Sequence, residues 1–144
     1  MLQRIILYLH ITSVILSIGP FFILVPVSGK LRKAGADEQK AYLDVFRFAV
    51  RLAKHAGHLL VVTGILLVTF SSWTWKTPWI DMTILIMVSS LFFLARAFSP
   101  TMRKFNESDN DKEKLVRKLT RSVWIYIVLL MAMLWFMVAK PMLW

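Results

Sequence analysis

Three histidines in a largely apolar chain are the residues with the most informative chemistry. His10, His55 and His58 lie in stretches that are apolar enough to enter a membrane. Holding an ionisable side chain in lipid is costly, so such residues are candidates for a functional site. Neutral imidazole is an axial ligand of haem iron. We therefore expect His10, His58 or both to be metal ligands of a bound haem b.

Cations accompany the histidines of the second apolar stretch. Arg47, Arg51, Lys54 and His58 follow one helical stripe, and His55 lies a turn beyond Arg51 on nearly the same side. Guanidinium groups pair with carboxylates such as haem propionates. Arg51 and His55 therefore join the candidate cofactor-binding residues, with the propionates toward the cytoplasm. The alternative is that these cations face water and lipid head groups, as juxtamembrane cations commonly do.

Counting residues inward from the ends of the stretches places polar groups at two depths. His58, Arg96, Tyr126 and Ser17 come out at one level toward the cytoplasm, which adds Arg96 and Tyr126 to the candidate cofactor-binding residues. His10 comes out about 10 Å from His58. One haem shared by both histidines therefore requires helix tilt. The alternatives are two sites, a ligand from Met or from a second copy, or a His10 that only hydrogen-bonds a neighbouring helix.

Methionine is the other side chain that could bind a metal. The chain has eight methionines and no cysteine, which excludes thiolate ligands. Thioether sulfur suits Cu(I), and Met87 and Met131 are expected at the level of His10. Met is also an ordinary filler of bundle cores, and the sequence favours that explanation. Nucleotide-binding loops, zinc-protease motifs and nucleophile elbows are absent, so soluble-type enzyme chemistry has no support.

Four apolar stretches must position these residues. Each approaches the length of about 20 residues that crosses a bilayer, and they are residues 2–26, 55–72, 80–95 and 122–139. Backbone groups in lipid must satisfy their own hydrogen bonds, which predicts helices. With 58% hydrophobic residues, the chain is predicted to be an all-α, polytopic four-helix bundle forming a single domain, residues 1–144.

The two connections that carry most of the charge are predicted to be partly helical. After a turn within residues 29–37, apolar residues recur at helical spacing opposite a basic face. We expect one long helix over about residues 38–72, whose first part extends toward the cytoplasm. The second connection, residues 106–114, is polar and is predicted to become helical from Asp109 onward, with Ser108 or Asp109 as cap.

The distribution of charge predicts the topology. Seven Lys or Arg lie between the first two stretches, eight lie between the last two, and three (Arg4, Lys76, Lys140) belong to the opposite side. By the positive-inside rule, both termini lie outside a bacterial cytoplasmic (inner) membrane and both basic loops lie in the cytoplasm. Tryptophans cluster at the outer ends, as in an aromatic belt: Trp73, Trp75, Trp79 and Trp144. The net charge of +10 therefore reflects membrane orientation, and no nucleic-acid partner is expected.

A resemblance rests on two segments. The first is Leu-Tyr-Leu-His-Ile-Thr-Ser-Val-Ile-Leu-Ser-Ile-Gly-Pro-Phe-Phe, residues 7–22, and the second is Thr-Gly-Ile-Leu-Leu, residues 63–67. They resemble small bacterial four-helix integral membrane proteins of unknown function, a group related to the membrane domain of copper resistance protein D and to HemJ-type protoporphyrinogen oxidases. His10 and Gly19 match the pattern. The resemblance implies a four-helix bundle, haem b and, if the chain is an enzyme, a membrane oxidoreductase.

The function expected from these observations is haem b binding in electron transfer or haem handling, with a quinone or a redox protein as partner and a homodimer as a possible assembly. It predicts that His10 and His58 face inward beside a flat apolar cavity. One alternative is a cofactor-free accessory or assembly subunit, which predicts solid packing and a large exposed apolar face between helices. Another is an ion or metal permease, which predicts a hydrated cavity lined by His10, His58 and Arg96.

Overall fold

Four long helices build the part of the chain that the computed structural model describes, which is residues 1–98, 100, 103 and 112–140. They are α1 (Leu2–Lys33), α2 (Ala36–Thr69), α3 (Pro78–Ala97) and α4 (Lys112–Ala139). All four are long and apolar enough to cross a membrane. The prediction of an all-α fold with four membrane-spanning helices is confirmed.

The first helix is longer than its sequence predicts. It runs through Pro20 and Pro26 to Lys33, so the predicted end at Pro26 is wrong, and the turn predicted within residues 29–37 is found but is shorter than that range. Proline removes one backbone hydrogen bond, which neighbouring helices can compensate in a bundle. Three cations in the last turn favour continuation, because they interact well with the negative end of the helix dipole. The α1–α2 connection is only residues 34–35.

The second helix confirms the long-helix prediction. Its 34 residues span about 51 Å, against about 30 Å for the hydrocarbon of a bilayer. With α1, it therefore forms a hairpin that is longer than the hydrocarbon of a bilayer is thick. The predicted helix start at Asp109, with Ser108 or Asp109 as cap, lies outside the described residues, and so does Trp144 of the predicted aromatic belt.

The helices pack as an incomplete ring. α1 packs along α2 and also contacts α4, which packs along α3, whereas α2 and α3 share much less contact than these three pairs. We call the end where α2 joins α3 the tryptophan end, because Trp73, Trp75 and Trp79 lie there. The other end, where α1 joins α2, is the basic end. The ring is therefore weakest on the side between α2 and α3.

Aromatic rings fill the core where α3 ends. The ring centroid of Phe21 lies 4.3 Å from that of Tyr126 and 5.6 Å from that of Phe98. All three side chains are buried. This half of the bundle, toward the basic end, is consequently well packed.

Candidate cofactor site between α2 and α3

His10 on α1 faces α2 and is the only one of the three histidines that contacts the inside of the bundle. Its ring Nδ1 lies 2.9 Å from Oγ1 of Thr63. Thr63 is buried, at 2% exposure, and His10 is half-buried. The contact therefore joins α1 to α2 through polar atoms that are largely withdrawn from the surface.

The hydrogen bonds around Thr63 assign the tautomer of His10. The Thr63 hydroxyl donates to the Leu59 carbonyl at 2.8 Å, one turn earlier on α2. With its proton used there, Thr63 Oγ1 accepts a hydrogen bond from Nδ1–H of His10. The Leu60 carbonyl, 3.1 Å away, is a second acceptor for the same hydroxyl. The neutral imidazole then carries its lone pair on Nε2, which is the arrangement of histidines that bind a metal through one nitrogen and are held through the other.

A small cavity of about 120 Å³ lies beside His10, between α2 and α3. Gly64 forms part of its wall, and a Cβ placed there would lie 3.4 Å from His10 Cε1. The imidazole therefore packs directly against α2 at Gly64, where a side chain longer than Ala would compete with it for space. Apart from His10 and Thr83 the named lining is almost entirely apolar, and it includes three methionines: Met87, Met133 and Met137.

The cavity is bounded at both ends. Toward the basic end α2 and α3 approach each other closely, since a Cβ on Gly57 would lie 3.0 Å from Leu91 Cδ2. Toward the tryptophan end, Trp75 and Trp79 line it. The rings of Trp73 and Trp79 pack edge to face, with centroids 5.5 Å apart. The gap between α2 and α3 is thus confined to the half of the bundle that contains His10.

A second hollow, which we call the mouth, adjoins the cavity at the tryptophan end. It shares His10 and Trp79 with the cavity, and its polar lining residues are Gln3, Arg4, Ser71 and Lys140. The ammonium of Lys140 lies 5.6 Å from the ring centroid of Trp73 and 5.4 Å from that of Trp79. No acidic residue is found among the described residues that line the mouth.

Most of the other residues predicted to bind the cofactor do not face this site. His58, His55, Arg51 and Arg96 are all exposed. The expectation that His58 faces inward with His10 is wrong, because His58 lies two positions, about 200° of helix rotation, from the buried Leu60. The stripe formed by Arg51 and its neighbours faces outward, as the alternative of solvent- and lipid-facing cations predicts.

Arg96 and Tyr126 have other surroundings. The Arg96 guanidinium lies over the ring of Phe92, 4.7 Å from its centroid and one turn earlier on α3, in a shallow surface groove. Tyr126 is buried against Phe21 and does not line the cavity or the mouth. The predicted polar layer is therefore split: Ser17 and Tyr126 are buried, whereas His58 and Arg96 are exposed.

The cavity lining contains imidazole and thioether groups, which are donor types that ligate haem iron in proteins. A histidine nitrogen and a methionine sulfur are the axial pair of one type of cytochrome, and the cavity offers His10 with three thioethers. Its volume is well below the range of about 300–1,000 Å³ of typical ligand pockets. A porphyrin therefore requires α2 and α3 to move further apart, which their sparse contact permits. Among the described residues, no group of three His, Asp or Glu could hold a metal ion.

Sequence reasoning missed several residues of this site. The sequence analysis does not assign Thr63 or Gly64 to the site. Their depth in the bundle could have been counted from the helix ends. Thr63 lies six residues before the end of α2, and His10 lies eight residues after the start of α1. Both are therefore about 10 Å from the tryptophan end. Met87 was expected near His10 and is found there. Met133 takes the place expected for Met131, which is exposed.

Comparison with known proteins gives a family and no closer relative. Residues 4–141 match a family described as predicted integral membrane protein (DUF2269). The match covers nearly the whole sequence, and the chain belongs to that family. No curated protein and no solved structure is similar enough to count as a match.

Proposed function

We propose that this member of the DUF2269 family binds haem b through His10 and acts in electron transfer or haem handling. The observation that supports it best is the held imidazole of His10, with its lone pair on Nε2, beside an apolar cavity that contains three thioethers. Imidazole and thioether are both established axial ligands of haem iron. When bound, haem would supply a one-electron redox couple whose potential depends on its axial ligands and surroundings.

The chain's own residues have distinct parts in this proposal. Thr63 holds the His10 ring in one orientation and increases its basicity by accepting from Nδ1–H. The apolar walls exclude water and keep the local polarity low. Met133, which is 1% exposed, and the half-buried Met87 and Met137 are the candidates for the second ligand. His58 is not needed as an iron ligand in this proposal, because a single chain supplies both ligands.

The partners and orientation form a further part of the proposal. The gap between α2 and α3 lies within the span of the helices, so a lipid-soluble quinone is a suitable electron donor or acceptor. The excess of Lys and Arg at the basic end supports an orientation with that end in the cytoplasm of a bacterial inner membrane. A homodimer is compatible with this site and is not required by it.

The two alternatives have less support. A permease requires a hydrated polar path, but His58 and Arg96 are exposed and the cavity beside His10 is mainly apolar. A cofactor-free accessory subunit requires solid packing, but the space beside His10 is not filled. The accessory subunit becomes the better explanation if the haem test fails.

The test is a visible absorption spectrum of the detergent-purified protein, oxidised and dithionite-reduced, after expression with ample haem. The expected spectrum has a Soret band and sharp reduced α and β bands. His10→Ala should abolish these bands. His55→Ala and His58→Ala are matched controls on an exposed face, and both should keep them.

The methionine ligand is identified in the same way. Replacing the liganding residue among Met87, Met133 and Met137 by Leu, which conserves volume, should convert the low-spin spectrum to a high-spin one without loss of haem. A featureless spectrum of the wild-type protein at full haem supply would overturn the haem proposal. Loss of the bands in His58→Ala but not in His10→Ala would overturn the assignment of the ligand.

A further inference from the structure

The mouth and the cavity beside His10 adjoin each other and have different linings. They share six residues: His10, Leu67, Val68, Trp79, Ile80 and Met137. The cavity is lined mainly by apolar side chains, whereas the mouth adds Gln3, Arg4, Ser71 and Lys140. A molecule that fills this space needs an apolar body and a polar head.

The described lining of the mouth contains two cationic side chains, Arg4 and Lys140, and no acidic one. Arg4 lies in the first turn of α1, which contains no acidic residue. The positive end of the helix dipole adds to its charge there. An anion in the mouth would lower the energy of this arrangement.

The indole of Trp79 provides an independent sign of an absent partner. Its Nε1 is buried and has no hydrogen-bond acceptor among the described residues, although buried N–H groups are nearly always paired. Trp79 lines both the cavity and the mouth. An oxygen of a bound molecule at the boundary between the two would supply the acceptor.

We propose that the mouth binds the acidic head of an amphiphile whose apolar body occupies the cavity beside His10. Arg4 and Lys140 contact the head, which is a carboxylate or a phosphate, and Trp79 donates to an oxygen next to it. For haem this inference rests on the proposed function, and it orients the propionates toward the tryptophan end. That is opposite to the orientation expected from Arg51, which is exposed on α2. The same chemistry suits the phosphate of an anionic phospholipid.

Lys140 also has a purely structural explanation. Its ammonium lies over two indole rings, and such cation–π contacts occur at membrane interfaces without any ligand. This explanation predicts that removal of its charge changes stability but no binding reaction. The two explanations are therefore separated by a binding measurement on folded variants.

The experiment compares the wild-type protein with the double variant Arg4→Gln, Lys140→Gln in detergent. The matched control is Lys76→Gln, Arg96→Gln, which removes two exposed cations that do not line the mouth. Haemin and haemin dimethyl ester, whose carboxylates are blocked, are titrated and followed by the Soret band. Native mass spectrometry measures retention of phosphatidylglycerol. Circular dichroism and size-exclusion elution verify that all variants are folded.

The expected result is that the double variant binds haemin at least about ten-fold more weakly, the effect of losing one charge-assisted hydrogen bond. The wild type should bind the dimethyl ester about as weakly as the double variant binds haemin. The control variant should bind haemin with the affinity of the wild type. If haemin does not bind but phosphatidylglycerol is retained by the wild type and lost from the double variant, the inference stands for a lipid and the haem function is overturned.

Two outcomes would overturn the inference itself. Equal binding of haemin and its ester by the wild type and the double variant would leave the haem function standing without an acidic head at the mouth. If the wild type retains neither haemin nor phosphatidylglycerol, both the inference and the haem function are overturned.

Discussion

Nδ1 of His10 and Oγ1 of Thr63 lie 2.9 Å apart, and this hydrogen bond crosses from α1 to α2. It links the two helices that pack most extensively. The Thr63 hydroxyl also donates to its own helix. This second hydrogen bond stops the hydroxyl from rotating, so the imidazole has a fixed acceptor. The hydrogen bond therefore holds α1 against α2 and also orients His10, the candidate ligand.

Thr63→Val tests both roles, since it removes the hydroxyl and keeps the shape. We expect haem affinity to fall by about 10- to 100-fold, as it does when the partner of a ligating histidine is removed. The free energy of unfolding should fall by only about 0.6–1.7 kcal/mol, the range for hydrogen bonds between membrane helices. The affinity is measured by haem titration and the stability by unfolding in detergent.

Thr69→Val is the matched control for Thr63→Val. Thr69 also lies on α2, is exposed, and bonds only the Leu66 carbonyl of its own helix. It should therefore leave haem affinity unchanged. An equal loss of affinity in both variants would mean that Thr63 acts through the helix rather than through His10.

Gly64→Leu should block the cavity, because a side chain there meets the His10 ring. Gly19→Leu is the control, since a Cβ at Gly19 has nothing within 4 Å. Both substitutions raise helix propensity by a similar amount, about 0.8–1 kcal/mol, so a difference between them reflects the cavity. We expect haem in the Gly19 variant and none in the Gly64 variant. Normal haem content in Gly64→Leu would exclude this cavity as the site.

Phe21→Ala should destabilise the bundle by on the order of 3 kcal/mol, because it leaves a void against Tyr126 and Phe98. The neighbouring Phe22 is 50% exposed, so Phe22→Ala should cost far less. Thermal unfolding in detergent compares the two. Tyr126→Phe should retain both stability and haem spectrum if Tyr126 acts in packing, and a loss of haem in that variant would restore Tyr126 as a ligand-contacting residue.

The orientation in the membrane can be tested with single cysteines, because the chain has none. A thiol at Lys76→Cys, in the α2–α3 connection, should react with a membrane-impermeant maleimide in intact cells. One at Lys40→Cys, near the start of α2, should react only after the cells are permeabilised. The reverse pattern would place the tryptophan end in the cytoplasm, against the positive-inside rule.

The sequence predicts the helices well and their rotation poorly. Apolar length predicts α3 and residues 122–139 of α4, but not the charged first part of α4 from Lys112. Helical spacing of apolar residues predicts that α2 extends beyond its apolar stretch. The end of α1 is predicted too early because proline usually ends a helix, and Pro26 is interpreted as that end. Inside a packed bundle, proline can bend a helix without ending it.

The rotation of α2 determines which histidine faces the site, and it depends on tertiary packing. Ala53 and Leu60 are buried. His58 instead lies on the same helical stripe as several cations, and because cations favour water or lipid head groups, this stripe faces outward. Histidine is compatible with either face, so its residue type alone does not reveal its direction. The mouth was also missed, because Arg4 and Lys140 are more than 130 positions apart in the sequence and are brought together only by the ring of helices.

The sparse contact between α2 and α3 has a consequence for how the site is filled. A molecule that enters through that side comes from the hydrocarbon of the bilayer. Its occupancy then depends on its mole fraction among the lipids and on how strongly it partitions from water, rather than on its aqueous concentration. Loading would be sensitive to the fluidity and composition of the membrane, so the bilayer would serve as the reservoir of the ligand as well as the solvent of the protein.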